Sequence, residues 1–125
     1  MKKTVQSDLA PKALGPYSQA VLDRDTLFLS GQVGIDPGTG QLVSDDVGEQ
    51  AHRVMKNLVA VLEAAGMSLE NVVKTTIYLA SMEDFQNVNE IYGKYFVKDP
   101  PARATIQVAK LPLGARIEIE AIARK

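Results

Sequence analysis

The run Pro100-Pro101-Ala102-Arg103-Ala104-Thr105-Ile106-Gln107-Val108 puts one arginine at the head of a strand-like alternation, directly behind a rigid lead-in. Two prolines fix φ and supply no backbone donor, which suits the approach to a strand. With a period of two, Arg103, Thr105 and Gln107 share one face, and Ala104, Ile106 and Val108 the other. Arg116 to Ala123 repeats the pattern, with Ile117, Ile119 and Ala121 on one side and Arg116, Glu118 and Glu120 on the other. A guanidinium is a planar donor fork matched to a carboxylate. A carboxylate nearby can orient water or accept its proton. Periodicity alone favours a plainer reading, a solvated sheet face with cross-strand ion pairs.

Composition removes several chemistries. The chain has no cysteine, so disulfides, thiolate zinc sites and a cysteine nucleophile are excluded. Its single histidine, His52, rules out a multi-histidine metal site within one chain. A length of 125 residues, 46% of them apolar and 23% charged, fits one soluble domain spanning 1–125. The formal charge is −1 and the lysines and arginines are scattered, which gives no general footprint for nucleic acid. No apolar run approaches the roughly twenty residues of a spanning helix. Met1 to Asp8 carries two lysines with no apolar stretch behind them, unlike a secretory signal. A cytoplasmic protein without membrane contact is expected.

The elements that must position these side chains can be read in order. Ala10 to Pro16 holds two prolines and a glycine and reads as a loop leading to Tyr17. Ser18–Leu22 and Thr26–Gly31 predict a hairpin closed by Asp23-Arg24-Asp25, with Tyr17 and Ser30-Gly31 near one end of it. Asp36-Pro37-Gly38-Thr39-Gly40 is a dense turn signal. Asp46–Ala65 predicts a helix, with Asp46 as N-cap, Glu49 completing a capping box and Gly66 as the stop. Val72–Leu79 predicts a strand. Ser81 to about Phe96 predicts a second helix buried through Phe85, Val88, Tyr92, Tyr95 and Phe96. Arg103–Ala109 and Arg116–Ala123 predict two final strands, paired antiparallel.

Two amphipathic helices and such a sheet pack with the helices on one face, over Ile106, Val108, Ile117 and Ile119. The other face then carries Arg103, Thr105, Gln107, Glu118 and Glu120, facing water or a wet subunit interface. His52 falls beside the apolar stripe of the first helix, which suits a structural or exposed role.

Five segments, in order, carry a family resemblance: Gly15-Pro16-Tyr17-Ser18-Gln19-Ala20, Leu29-Ser30-Gly31-Gln32-Val33-Gly34, Val88-Asn89 before Tyr92, Pro100-Pro101-Ala102-Arg103, and Ile117-Glu118-Ile119-Glu120-Ala121. Together they resemble the RidA (YjgF) family of reactive intermediate deaminases over nearly the whole chain. The arginine at position 103 is similar to that of the RidA branch itself. The resemblance implies a chorismate-mutase-like α+β fold, a single sheet with two helices on one face. It also implies a homotrimer whose sheets face a central axis, with a small pocket in each cleft between subunits. The implied activity is hydrolysis of 2-imino or enamine acids, such as 2-iminobutanoate and 2-iminopropanoate, to 2-keto acids and ammonia, without a cofactor or metal.

On that reading Arg103 holds the substrate carboxylate and Glu118, on the same predicted face, orients the attacking water. Tyr17 closes the apolar side of the pocket, or else anchors a loop with its hydroxyl wet. Ser30 and Gly31 present backbone groups to the substrate, or else end a strand at a turn. Asn89 contacts the ligand, or is a satisfied structural amide on the helix. Thr105 departs from the family pattern, in which cysteine is frequent; its hydroxyl can bond substrate or water. Two other functions compete: a noncatalytic module that captures a keto acid in the same pocket, and RNA cleavage, which the scattered charge disfavours.

Overall fold

The computed structural model describes residues 2–125; Met1, the first residue of the N-terminal segment discussed above, lies outside them. Among the described residues the strands are β1 (Lys2–Val5), β2 (Ala20–Asp23), β3 (Thr26–Val33), β4 (Ile35–Asp36), β5 (Gln41–Leu42), β6 (Val72–Leu79), β7 (Ala102–Gln107) and β8 (Ile117–Arg124). Two α-helices, α1 (Val47–Ala64) and α2 (Phe85–Tyr95), complete the fold. The main sheet runs β1-β2-β3-β8-β6-β7, and β4-β5 form a small separate ribbon. The architecture is α+β, with both helices on one face of the main sheet, as the sequence predicts.

The first helix forms where apolar residues recur at three and four, and Val54, Met55, Leu58, Val61 and Leu62 are at most 2% exposed. Asp46 caps it by accepting from the Glu49 N–H at 2.9 Å. The expected capping box is half made, because Ser44 Oγ donates to the Glu49 carboxylate and also accepts from the Asp46 N–H. Gly66, at φ +74°, ends the helix, and the Met67 N–H reaches back to Leu62 O. The second helix is split. Ser81 caps a 3₁₀ turn, Met82–Asp84, and α2 starts at Phe85 without a side-chain cap from Asp84.

Two sequence expectations about the last strands fail. β7 and β8 do not pair: β6 lies between them, parallel to β7 and antiparallel to β8. The physical reason is the connection, since β6, α2 and β7 form a crossover that returns the chain parallel to where it left. The faces of β7 are also inverted. Its register sets Arg103 beside Thr75 and Thr105 beside Ile77, residues 1% exposed beneath the helices. Ile106 instead pairs with Tyr78 and is 46% exposed, and Val108, beyond the strand, is half-buried. Alternation gives two faces but not which one a helix covers. On β8 the expectation is correct, with Ile117 and Ile119 buried under the helices.

The uncovered face carries the cross-strand row Val21, Phe28 and Ile122, with Lys74, Thr76, Tyr78, Glu118 and Glu120 beside it. Phe28 there is 49% exposed. β1, unforeseen in the sequence, extends this sheet by pairing with β2.

Candidate functional site

Arg103 sits at the second position of the edge strand β7, on the helix side. Its guanidinium carbon lies 5.1 Å from the centre of the Tyr92 ring and 5.7 Å from that of Phe85. The Tyr92 hydroxyl shares a 2.7 Å hydrogen bond with Thr75 Oγ1. Burial pushes the Tyr92 hydroxyl pKa up, against smaller opposing effects from Thr75 and the Arg103 charge. Two residues along β7, Thr105 Oγ1 is buried with no hydrogen-bond partner among the described residues. Gln107 is committed to structure, accepting from the Met82 N–H at 2.8 Å. Asn89 is exposed on α2.

Glu118 belongs to a different place. Between Leu29 and Gln32 β3 carries one more residue than β8, a bulge formed by Ser30 and Gly31. The Glu118 carboxylate lies over Gly31 so closely that a Cβ there would stand 2.7 Å from Oε2. Here the absence of a side chain at Gly31, and not its φ, gives the Glu118 carboxylate its place. Burial, and then the charge of Glu120, raise the Glu118 pKa above the ordinary glutamate range. Glu120 itself accepts from the Tyr78 hydroxyl at 3.0 Å.

The bulge also anchors the loop that bears Tyr17. Ser30 Oγ donates to Ser18 O at 2.6 Å, and the Ser30 N–H donates to Gln19 O. The Gln19 side chain, 4% exposed, accepts from the Ser7 N–H and donates to the carbonyls of Ser7 and Pro11. Tyr17 is 54% exposed, and its hydroxyl accepts from the Leu14 N–H. It lines a concavity of about 300 Å³ with Lys12, Ala13, Ser18 and Gln19.

One chain therefore presents two partial constellations: Arg103 and Thr105 at the β7 edge, and Ser30, Gly31 and Glu118 with Tyr17 at the β3 bulge. The predicted shared face of Arg103 and Glu118 is wrong. β6 separates their strands, roughly 10 Å of sheet at the usual strand spacing, and the two side chains leave opposite faces. Neither residue lines the 570 Å³ concavity bordered by Val59, Glu63, Tyr95 and Phe96, or the 230 Å³ one over Phe28 and Glu120. His52 takes the structural place expected of it, with Nδ1 2.8 Å from the Tyr95 hydroxyl.

The sequence model of the family described as Endoribonuclease L-PSP matches residues 7–125. Human 2-iminobutanoate/2-iminopropanoate deaminase is 54% identical over 123 residues, covering 98% of this chain and 90% of that protein. The chain belongs to the RidA family. Among solved structures, RidA from the Antarctic bacterium Psychrobacter sp. superposes with a TM-score of 0.95 at 44% identity, covering 98% of this chain and 99% of that one. The YjgF gene product of E. coli gives a TM-score of 0.94 at 40% identity, covering 98% of each chain. Within this RidA chain, sequence reasoning missed the seat of Arg103. Phe85 and Tyr92 are legible as a buried stripe. Their position under the arginine follows only from the parallel register of β6 and β7.

Proposed function

We propose that the protein is a deaminase of reactive 2-imino acids, working as a homotrimer in which each site is completed by two copies. Arg103 of one copy grips the substrate carboxylate bidentately, and Glu118 of a neighbouring copy orients the water that attacks the imine carbon. Water adds across the C=N bond, nitrogen gains the protons, and the carbinolamine collapses to a 2-keto acid and ammonia. The raised pKa of Glu118 suits a group that takes a proton from water and returns it to the leaving nitrogen. Tyr17 covers the apolar side, Ser30 and Gly31 offer backbone groups, and Asn89 and the unpartnered Thr105 hydroxyl complete the polar lining.

The observation that carries this reading is the division of the constellation. A fork for a carboxylate and a carboxylate for water occur in one chain, on opposite faces of its sheet, an arrangement that a second copy would complete. The uncovered face, apolar at Val21, Phe28 and Ile122, is the surface such a copy would cover. The substrate class follows relatives such as human 2-iminobutanoate/2-iminopropanoate deaminase. Because imines hydrolyse in water unaided, positioning and proton transfer are sufficient assistance.

The test couples a threonine dehydratase to the purified protein and follows the imine by semicarbazide trapping. Wild type shortens the imine lifetime and Arg103→Ala does not. Equal shortening by both would sink the assignment to Arg103. Carboxylate binding with no change in imine lifetime would leave a noncatalytic binding module.

A further inference from the structure

The neighbours of Arg103 are distinctive for a residue meant to hold an anion. Its guanidinium carbon lies over two aromatic rings, those of Phe85 and Tyr92. A contact of this kind restrains an arginine while leaving its N–H donors available to a carboxylate. Both rings come from α2, seven residues apart, so they fall on one stripe two turns long. Phe85 is only half-buried, so the helix can tolerate change there. Tyr92 is held from behind by Phe96, whose ring centre lies 4.8 Å away. Thr75, which bonds the Tyr92 hydroxyl, is also the register partner of Arg103. The strand residue beside the arginine thus fixes the ring beneath it.

We propose that Phe85 and Tyr92 form an aromatic bracket that presets the Arg103 fork for a carboxylate, with Thr75 locking the bracket. They are positioning residues, and the inference rests on the carboxylate-binding reading of Arg103. An arginine free to sample its rotamers loses that freedom when it binds, and a bracketed one has already lost it. Arginine also stacks on aromatic faces in a way that lysine does not reproduce.

The experiment titrates the full-length oligomer with 2-ketobutyrate and measures KM and kcat with dehydratase-generated imine. Removing a ring while keeping apolar volume, Phe85→Leu, should weaken 2-ketobutyrate binding about three- to tenfold, with a matching rise in KM. Phe85→Tyr should restore binding, which a role in volume filling alone would not require. In the wild-type arginine side-chain spectrum, the Arg103 Nε–H signal, assigned by its loss in Arg103→Lys, should be shifted by the ring currents. An unshifted signal overturns the bracket without recourse to any ring variant. Wild-type affinity in Phe85→Leu, when Arg103→Ala has lost binding, removes the bracket alone. Wild-type affinity in Arg103→Ala removes the carboxylate assignment and the bracket with it.

Discussion

Arg103 and Glu118 stand on opposite faces of one sheet, with β6 between their strands. Thr75 marks the side of the first and Tyr78 the side of the second, so rotamer changes cannot bring both to one small molecule. Mixing chains gives a direct prediction. Arg103→Ala and Glu118→Ala should each be inactive alone, yet co-refolded in equal amounts they should regain about one quarter of wild-type activity, because each proposed shared site draws its two groups independently. Activity that stays at the level of the separate variants would place both groups in a single chain's site.

Gly31 makes a second prediction. A Cβ at this position collides with the Glu118 carboxylate rather than with backbone, so the side chain must move. Gly31→Ala should reduce imine hydrolysis by about a hundredfold, the lower end of what a positioned proton-transfer group contributes. Affinity for 2-ketobutyrate should fall less. Steady-state kinetics beside a binding titration separate the two, and an unchanged kcat would show that Glu118 has no role at its present position.

The ionisation of Glu118 predicts a pH profile. If the Glu118 carboxylate orients the water as proposed, the acid limb should lie above the ordinary glutamate range, because burial and then Glu120 raise its pKa. Glu120→Gln removes the second cause, and the limb should shift to lower pH. Stability runs the other way. A folded-state pKa above the unfolded one means that ionisation costs stability as pH rises through that window. Glu118→Gln should therefore melt higher than wild type at pH 7, with the advantage fading towards pH 4, while hydrolysis is lost. A melting advantage that grows on acidification would contradict the sign.

Tyr92→Phe tests the core beneath the bracket. Thr75 is 1% exposed, and losing its 2.7 Å partner leaves a buried hydroxyl unsatisfied. The expected cost is about 1–2 kcal/mol of stability, measured by denaturant unfolding, with the ring contact to Arg103 retained. Thr75→Val should cost a similar amount, because it orphans the other half of the bond. A double variant that costs less than either single one would confirm that both effects are one bond, since neither hydroxyl is then orphaned.

How far the sequence reveals this depends on the kind of contact. α1 is legible because its apolar residues, cap and stop are all local, within reach of a few positions. The same holds for the Arg24-Asp25 hairpin, where Asp23 pairs with Thr26. β7 is not legible to the same degree. Arg103, Thr105 and Ile106 alternate as expected, but the phase that puts the arginine inward is set by Thr75 and Ile77 on another strand. The pairing of β8 with β6 rather than β7 is likewise a matter of crossover geometry, which no window of residues records. Alternation singles out Arg103 and the family motifs supply the other candidates, but periodicity does not carry their arrangement. A bulge at Ser30-Gly31 changes the phase of β3, and the two carriers of charge lie on different faces.

Gln19 holds the loop before Tyr17 through backbone atoms alone, the N–H and carbonyl of Ser7 and the carbonyl of Pro11. Such a clasp reads the path of the chain and is blind to what the side chains are. The side chains of Leu9 and Leu14, exposed at 71% and 74%, take no part in the clasp. The position of Tyr17 is thus carried by main-chain geometry, so the outward side chains of the loop can be exchanged to alter its surface without moving the tyrosine.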